Sequence, residues 1–276
     1  MERELFNALR AIIQGESGIA LTDSKMELLE NRLLKRLRAL SLTNVEDYLQ
    51  ILHTDSTGVE LSNLIDAVST NVTFFFREES HFVRLESMLD SLIRSGKKNI
   101  KIWCAAASSG EEPYTIAMVA AEKLKGKKID IKILATDICM PVLEQAACGV
   151  YGEEQVAKVP SKLLDRYFRQ IEADGSQGLW QVVPELKNMV LFKKLNLAEM
   201  PYPLRGPIDV IFCRNVMIYF DRPLRERIVA EFYNLLVPGG SLFLSHSENM
   251  LGVNHRFEGL GQSIFIKPTL VGEARV

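Results

Sequence analysis

At 276 residues with 47% hydrophobic content, the chain is long enough for one large core or two modest ones. Its formal net charge of −2 and pI near 6.2 carry none of the basic excess of a general nucleic-acid binder. No apolar run reaches the roughly 18 residues needed to span a bilayer, and the charged N-terminus is not a signal peptide. A cytoplasmic protein without direct membrane insertion is expected.

From the start of the chain, Met1–Gln14 sets Leu5, Phe6, Leu9, Ile12 and Ile13 against Glu2, Arg3, Glu4 and Arg10, an amphipathic helix. In Lys25–Leu40, Met26, Leu29, Leu33, Leu37 and Leu40 form one helical stripe. That helix carries Lys25, Arg32 and Arg36 on one flank, Lys35 and Arg38 outward, and Glu27 and Glu30 on the other flank. The basic residues make either a solvated face or a docking strip for an acidic partner. Glu46–His53 and Val59–Val68 continue the helical pattern, and no convincing strand precedes Ile100. A helical domain over 1–70 and a second domain over 71–276 are expected, joined near Ser69–Asn71.

Asn71–Glu78 holds three consecutive aromatics, Phe74, Phe75 and Phe76, at least one of which must pack away from the main core. The segment reads equally as a hinge clamping two domains or as a lid in which Asn71 and Thr73 bond a ligand and Arg77 reaches the active centre.

Ile100–Cys104 reads as a buried strand that breaks into a loop of tiny residues, Ala105–Gly110, before Pro113 opens a helix over Tyr114–Leu124. Such a loop lets bare backbone approach a ligand, and the helix N-terminus favours an anionic group. Glu111 and Glu112 at that mouth ask for positive charge as well. S-adenosylmethionine, with ammonium, sulfonium and carboxylate, meets both demands; Glu112, or else Glu111, would pair with its amino group. Both acids also suit a helix N-terminus without any ligand.

Further apolar runs at Ile131–Ala135, Val190–Lys194, Ile208–Cys213 and Ser241–Ser245, mostly separated by helices, predict a parallel sheet with helices on both faces. Ligands in such folds bind past the strand ends. Asp137 follows one strand and is placed to accept ribose hydroxyls, or to cap the next segment. Asn196-Leu197 and Asn215 follow two others and would meet the adenine and the reacting end, unless they are turn residues. Asp221-Arg222-Pro223 starts a helix with Leu224, Ile228, Phe232 and Leu235 inward, and Pro238-Gly239-Gly240 stops it. Arg166–Leu195 interrupts the alternation with glycine-marked turns at Gly175 and Gly178, predicting an inserted antiparallel β-subdomain at about 166–190. Lys267–Val276 reads as a loose tail. Cys104, Cys139, Cys148 and Cys213 show no metal spacing and read as reduced thiols. His246 reads as a hydrogen-bonded structural group, and no metal is expected.

Asn71–Glu78 (NVTFFFRE), Trp103–Tyr114 (WCAAASSGEEPY), Ala135–Ile138 (ATDI), Phe212–Asp221 (FCRNVMIYFD) and Ser245–Asn249 (SHSEN), in this order, resemble the chemotaxis receptor methyltransferases of the CheR family. The resemblance runs from about Leu21 to Ile266. It implies an α/β fold: a Rossmann-like S-adenosylmethionine-dependent methyltransferase domain with a small inserted antiparallel β-subdomain, preceded by an all-α domain. It implies methyl transfer to glutamate carboxylates of receptor methylation helices, giving γ-methyl esters and S-adenosylhomocysteine. Cofactor contacts are implied at Asn71, Thr73, Arg77, Glu112, Asp137, Asn196, Leu197, Asn215 and Val216. Arg77 and Tyr219 would lie near the reacting methyl, and Arg32, Arg36 and Arg38 would face the receptor. The stretch Arg169–Gly178 lacks the closely spaced Arg-Gly-x-Gly of relatives that bind a C-terminal receptor tether, which counts against tether binding here.

A nicotinamide dehydrogenase is disfavoured because Ala105–Gly110 supplies no G-x-G-x-x-G turn. A nucleic-acid methyltransferase is disfavoured by the net charge and the lack of an N/D-P-P-Y/W motif. A non-catalytic cofactor-binding adapter is the remaining alternative, opposed by the Arg77, Asp137 and Asn215 set.

Overall fold

The computed structural model describes residues 2–173, 176–248, 250 and 252–269. Helices α1 (Arg3–Ser17), α2 (Met26–Ala39), α3 (Val45–Thr54) and α4 (Val59–Val68) form the first unit. Their stripes meet in a core of Phe6, Leu9, Ile13, Leu29, Leu33, Leu37, Tyr48 and Leu64. Asn44 caps α3 by accepting from the Asp47 N–H at 2.8 Å. Gly18 ends α1 at φ +74°, where a Cβ would lie 2.4 Å from Leu224 Cδ2. Glycine there lets the helical unit close against the second one.

That second unit contains α5 (Glu79–Arg94), β1 (Asn99–Cys104), α6 (Glu111–Leu124), β2 (Asp130–Asp137), α7 (Met140–Cys148), β3 (Val150–Gly152), α8 (Glu153–Val156) and α9 (Ser161–Tyr167). It continues through β4 (Phe168–Ala173), β5 (Ser176–Val182), α10 (Pro184–Lys187), β6 (Val190–Lys194), β7 (Ile208–Phe212), α11 (Arg222–Leu235), β8 (Leu236–Phe243), β9 (Glu258–Gly261) and β10 (Ile264–Ile266). The main sheet runs β6-β2-β1-β7-β8-β10-β9. Its first five strands are parallel, while β10 pairs antiparallel with both β8 and β9.

Alternate side chains feed two cores, which is why the central strands are apolar on both faces. Ile100, Ile102 and Cys104 of β1 pack with Phe82, Leu85 and Leu89 of α5 and with α6. Trp103 packs the other way, with Ile228 and Phe232 of α11. The chain steps outward from β1 to β2 and β6, then returns to β7 on the far side of β1. That reversal opens a crevice at the carboxyl ends of the strands.

Several expectations are corrected. The sheet is mixed, because the β9–β10 hairpin adds an antiparallel edge. Helix α6 begins at Glu111, not Tyr114, since Gly110 at φ +99° already turns the chain. Strand β8 runs through Pro238-Gly239-Gly240, with a bulge opposite Ile208–Val210. The inserted sheet has the order β3-β5-β4, so the β4–β5 hairpin recruits Val150–Gly152 from well before residue 166. Lys267 is not loose: its N–H donates to Gly240 O at 2.9 Å and its Nζ to Tyr233 O and Leu236 O. Asp174 and Gly175, where the sequence predicts a turn, Asn249, Leu251 and the residues from 270 onward lie outside the described residues. The tether reading of Arg169–Gly178 falls partly on them. Among the described residues no helix is long and apolar enough to cross a membrane.

Candidate active site

Residues just past β1, β2, β6 and β7 converge on one cleft, open to solvent. Every expected cofactor residue lines it, as does Tyr219. The helical unit and the linker after it line one wall, with Ser17, Ile19 and the 68–73 segment. This seam is pinned by an Ile19–Phe220 bridge and by the Ala20 N–H donating to Tyr219 O at 2.7 Å.

The loop after β1 is held by the carboxylate that closes β2. Asp137, 9% exposed, accepts from the Ser108 N–H at 2.8 Å through Oδ2 and from the Cys139 N–H at 3.0 Å through Oδ1. Burial pushes its carboxyl above the usual range, with those N–H groups opposing. Each oxygen keeps a lone pair for a hydroxyl. Gly110 cannot be replaced without displacement: a Cβ would stand 2.6 Å from Tyr151 Oη and 2.8 Å from Ala146 Cβ.

The two acids of the helix mouth part company. Glu112 lines the cleft, where it accepts from Cys104 Sγ at 3.2 Å and pairs with Arg214. Glu111 turns away, buried, and accepts from Ser109 Oγ at 2.7 Å and from Gln155. Burial raises its carboxyl pKa.

The aromatic run divides its labour. Phe75 is fully buried, edge-on to Tyr151 and Phe168, and Phe76 packs edge-on against Phe82. Phe74 is half-buried between two cations, with Lys158 Nζ 3.5 Å and the Arg77 guanidinium 5.6 Å from its ring centre. Arg77 also donates to Val72 O at 2.8 Å, and Asn71 O accepts from Ser108 Oγ at 3.1 Å. The segment thus packs into the core through Phe75 and Phe76 and lines the cleft through Asn71, Thr73 and Arg77.

Asn196 caps its own turn, accepting from the Ala198 N–H and donating to Glu16 O at 2.6 Å across the seam. Asn215 adopts φ +60°, a conformation asparagine tolerates, and donates to Ser245 Oγ at 2.8 Å. Glu248 Oε2 accepts from the Asn215 and Ser245 N–H groups, each at 2.9 Å, so it ties the loops after β7 and β8. His246 is hydrogen-bonded to Ser80 at 3.3 Å, the structural part expected of it.

On the helical unit, Arg32 donates to the carbonyls of Ala67 and Ser69, bracing the linker. Arg36 makes a bidentate pair with buried Glu60, which also accepts from Tyr48 Oη at 2.7 Å. Arg38 is exposed, as are Lys25 and Lys35.

Arg214 is the residue that sequence reasoning missed. It lines the cleft with a fully buried side chain and pairs with Glu112 and Glu78. Its place just past the end of the fully buried strand β7 was the available signal.

The sequence over residues 71–266 matches the description "CheR methyltransferase, SAM binding domain", and residues 4–69 match "CheR methyltransferase, all-alpha domain". The chain belongs to the CheR methyltransferase family. It is 41% identical to the chemotaxis protein methyltransferase of Escherichia coli, over 94% of this chain and 89% of the relative. The Klebsiella aerogenes enzyme stands at 41%, covering 94% and 88%, and chemotaxis protein methyltransferase 2 of Pseudomonas aeruginosa at 38%, covering 95% and 92%. The chain is an S-adenosylmethionine-dependent chemotaxis methyltransferase of this family. The cleft fits that cofactor's chemistry. A buried acid faces it past β2, a carboxylate and a guanidinium of opposite sign stand together beside the β1 loop, and Ile138, Leu197, Val216 and Phe220 supply apolar wall.

Proposed function

We propose that this chain methylates glutamate side-chain carboxylates in the cytoplasmic methylation helices of chemoreceptors, giving γ-methyl esters and S-adenosylhomocysteine. The carrying observation is the composition of the cleft. Its lining acids are Glu112, already paired with Arg214, and buried Asp137, and among the described residues no histidine lines it. Such a site offers no ready acid–base pair. An acceptor that is already ionised suits it, and a glutamate with a reference pKa of about 4.3 is one at neutral pH.

The bound cofactor supplies a methyl group on a sulfonium leaving group. Asp137 is assigned to the ribose hydroxyls and Glu112 to the cofactor's ammonium. Asn71, Thr73, Asn196, Leu197, Asn215 and Val216 enclose the rest of it. Arg77 holds and orients the incoming carboxylate, with Tyr219 beside the reacting centre. What these residues contribute is alignment, which can be worth roughly 7–11 kcal/mol of barrier. Closing the cleft against water favours a reaction that neutralises two opposite charges.

The working division is a docking unit over 1–70 and a catalytic unit over 71–276. Exposed Arg38, with Lys25 and Lys35, gives the docking unit a positive face for an acidic helix, to which Arg32 and Arg36 add charge while bracing the unit from within. Lys158 and Arg77 on Phe74 extend positive charge to the mouth.

The test is mass spectrometry of receptor peptides after incubation with protein and cofactor. The expected result is a methyl group on specific glutamates that mild base removes. Methylation confined to other residue types, or none with folded protein, overturns the proposal.

A further inference from the structure

The buried charges beside the cleft form a chain rather than separate pairs. Arg214 directs Nη1 to the Glu112 carboxylate. Its Nη2 donates to the backbone carbonyl of Arg77 and lies 3.1 Å from the Glu78 carboxylate. Glu78 itself does not line the cleft. Its Oε1 accepts from Ser245 Oγ at 2.7 Å and its Oε2 from the His246 N–H at 3.2 Å. The residue sits at φ +57°, and its neighbour Phe76 at φ +58°. Both are left-handed positions that L-residues adopt only when surrounding contacts hold them there.

A guanidinium held at one end by a single carboxylate retains freedom to swing. Held between Glu112 and Glu78, with a carbonyl on the same nitrogen that faces Glu78, it is fixed in plane and direction. Arg214 thus touches one residue from each half of the site. Glu112 belongs to the cofactor end, and Arg77 carries the guanidinium assigned to the incoming carboxylate.

Glu78, His81 and His246 also bring ligand-type atoms within 4.8 Å of one another, and the buried Nδ1 of His81 lies 3.5 Å from Glu78 Oε2 with no hydrogen-bond partner among the described residues. A divalent cation there would have to share the Glu78 carboxylate with the positive charge of Arg214, which repels it. The cluster is therefore assigned to holding the arginine rather than a metal.

We propose that Glu78 is a positioning residue for methyl transfer: acting through Arg214, it fixes the Glu112 carboxylate and the Arg77 backbone together, so that cofactor and acceptor are aligned by one buried ion chain. The inference rests on methyl transfer to a receptor carboxylate. Wild-type protein is therefore assayed first, and its failure would count against that reading and not against the ion chain.

The experiment is a double-mutant cycle of Glu78→Gln and Arg214→Lys in steady-state receptor methylation, with cofactor affinity from calorimetry and folding from thermal melts. Glu78→Gln keeps size and removes charge. It is expected to lower kcat by about tenfold or more while receptor KM stays within about twofold, a split that marks loss of alignment rather than of binding. In the Arg214→Lys background, which lacks the planar fork, the same substitution is expected to cost less than about twofold, because coupled residues are non-additive. Should Glu78→Gln melt early, the cycle is repeated with Glu78→Asp, which keeps the charge. Wild-type kcat in a folded Glu78 variant, or the full loss persisting beside Arg214→Lys, overturns the proposal.

Discussion

The backbone N–H of Ser108 donates to Oδ2 of Asp137 at 2.8 Å, joining the tiny-residue loop after β1 to the end of β2. One acid thereby shapes the loop and still faces the cleft. Asp137→Ala should weaken cofactor binding by about 10- to 100-fold, the worth of hydrogen bonds to a charged group. Calorimetry with S-adenosylhomocysteine checks this, and normal affinity would remove Asp137 from the ribose site.

Arg77 meets the cleft with its side chain and anchors to Val72 O and the Phe74 ring. Arg77→Ala should lower turnover far more than cofactor affinity, because its assigned partner is the acceptor carboxylate. Turnover at saturating receptor, measured beside calorimetry, separates the two quantities.

Arg36 and Arg38 should behave differently although they are neighbours in sequence. Arg38→Glu should raise receptor KM several-fold and leave the melting temperature alone. Arg36→Glu should cost about 3 kcal/mol of stability, since it strands the buried Glu60 carboxylate. Equal melting temperatures for the two variants would contradict the ion pair.

The Glu60 carboxyl is pushed up by burial, but hydrogen bonds from Arg36, Tyr48 and Asn63 outweigh that and hold it below the usual range. A depressed folded pKa gives stability that is present above the unfolded pKa and lost as pH falls through the folded one. The gap in unfolding free energy between wild type and Glu60→Gln should therefore be widest near neutrality and close on acidification below the ordinary carboxylate range. Denaturant titrations at several pH values measure it.

Gly110→Ala should impair both folding and cofactor binding, because φ +99° and the 2.6 Å approach to Tyr151 Oη leave no room for a Cβ. Retained affinity in that variant would mean that the loop has another way to turn.

Features that repeat along the chain were legible without a structure. The helix Val59–Val68, read from its helical pattern, and the strand Val190–Lys194, read as a short apolar run, were bounded to the residue. That Asp137, Asn196 and Asn215 gather at the cleft was legible because a strand end can be read locally. Arg214 was not, because its meaning lies in Glu112 and Glu78, each more than a hundred positions away in sequence. The commitments of Arg32 to the linker and Arg36 to Glu60 were hidden for the same reason: spacing shows which flank a cation occupies, not what it meets across the fold. Strand β3 is three residues long and depends on the hairpin it joins, so it left little pattern. The β9–β10 edge was missed as well, four exposed residues paired with three.

The cleft takes one wall from the helical unit, through Ser17, Ile19 and the linker, and the other from the sheet. Ligand occupancy and cohesion of that seam are then two faces of a single thermodynamic quantity. Whatever free energy the bound nucleoside lends to holding the halves together, an intact junction returns as affinity. Severing the first seventy residues would therefore blunt cofactor capture, and any force that tugs on the helices would be felt in the cleft.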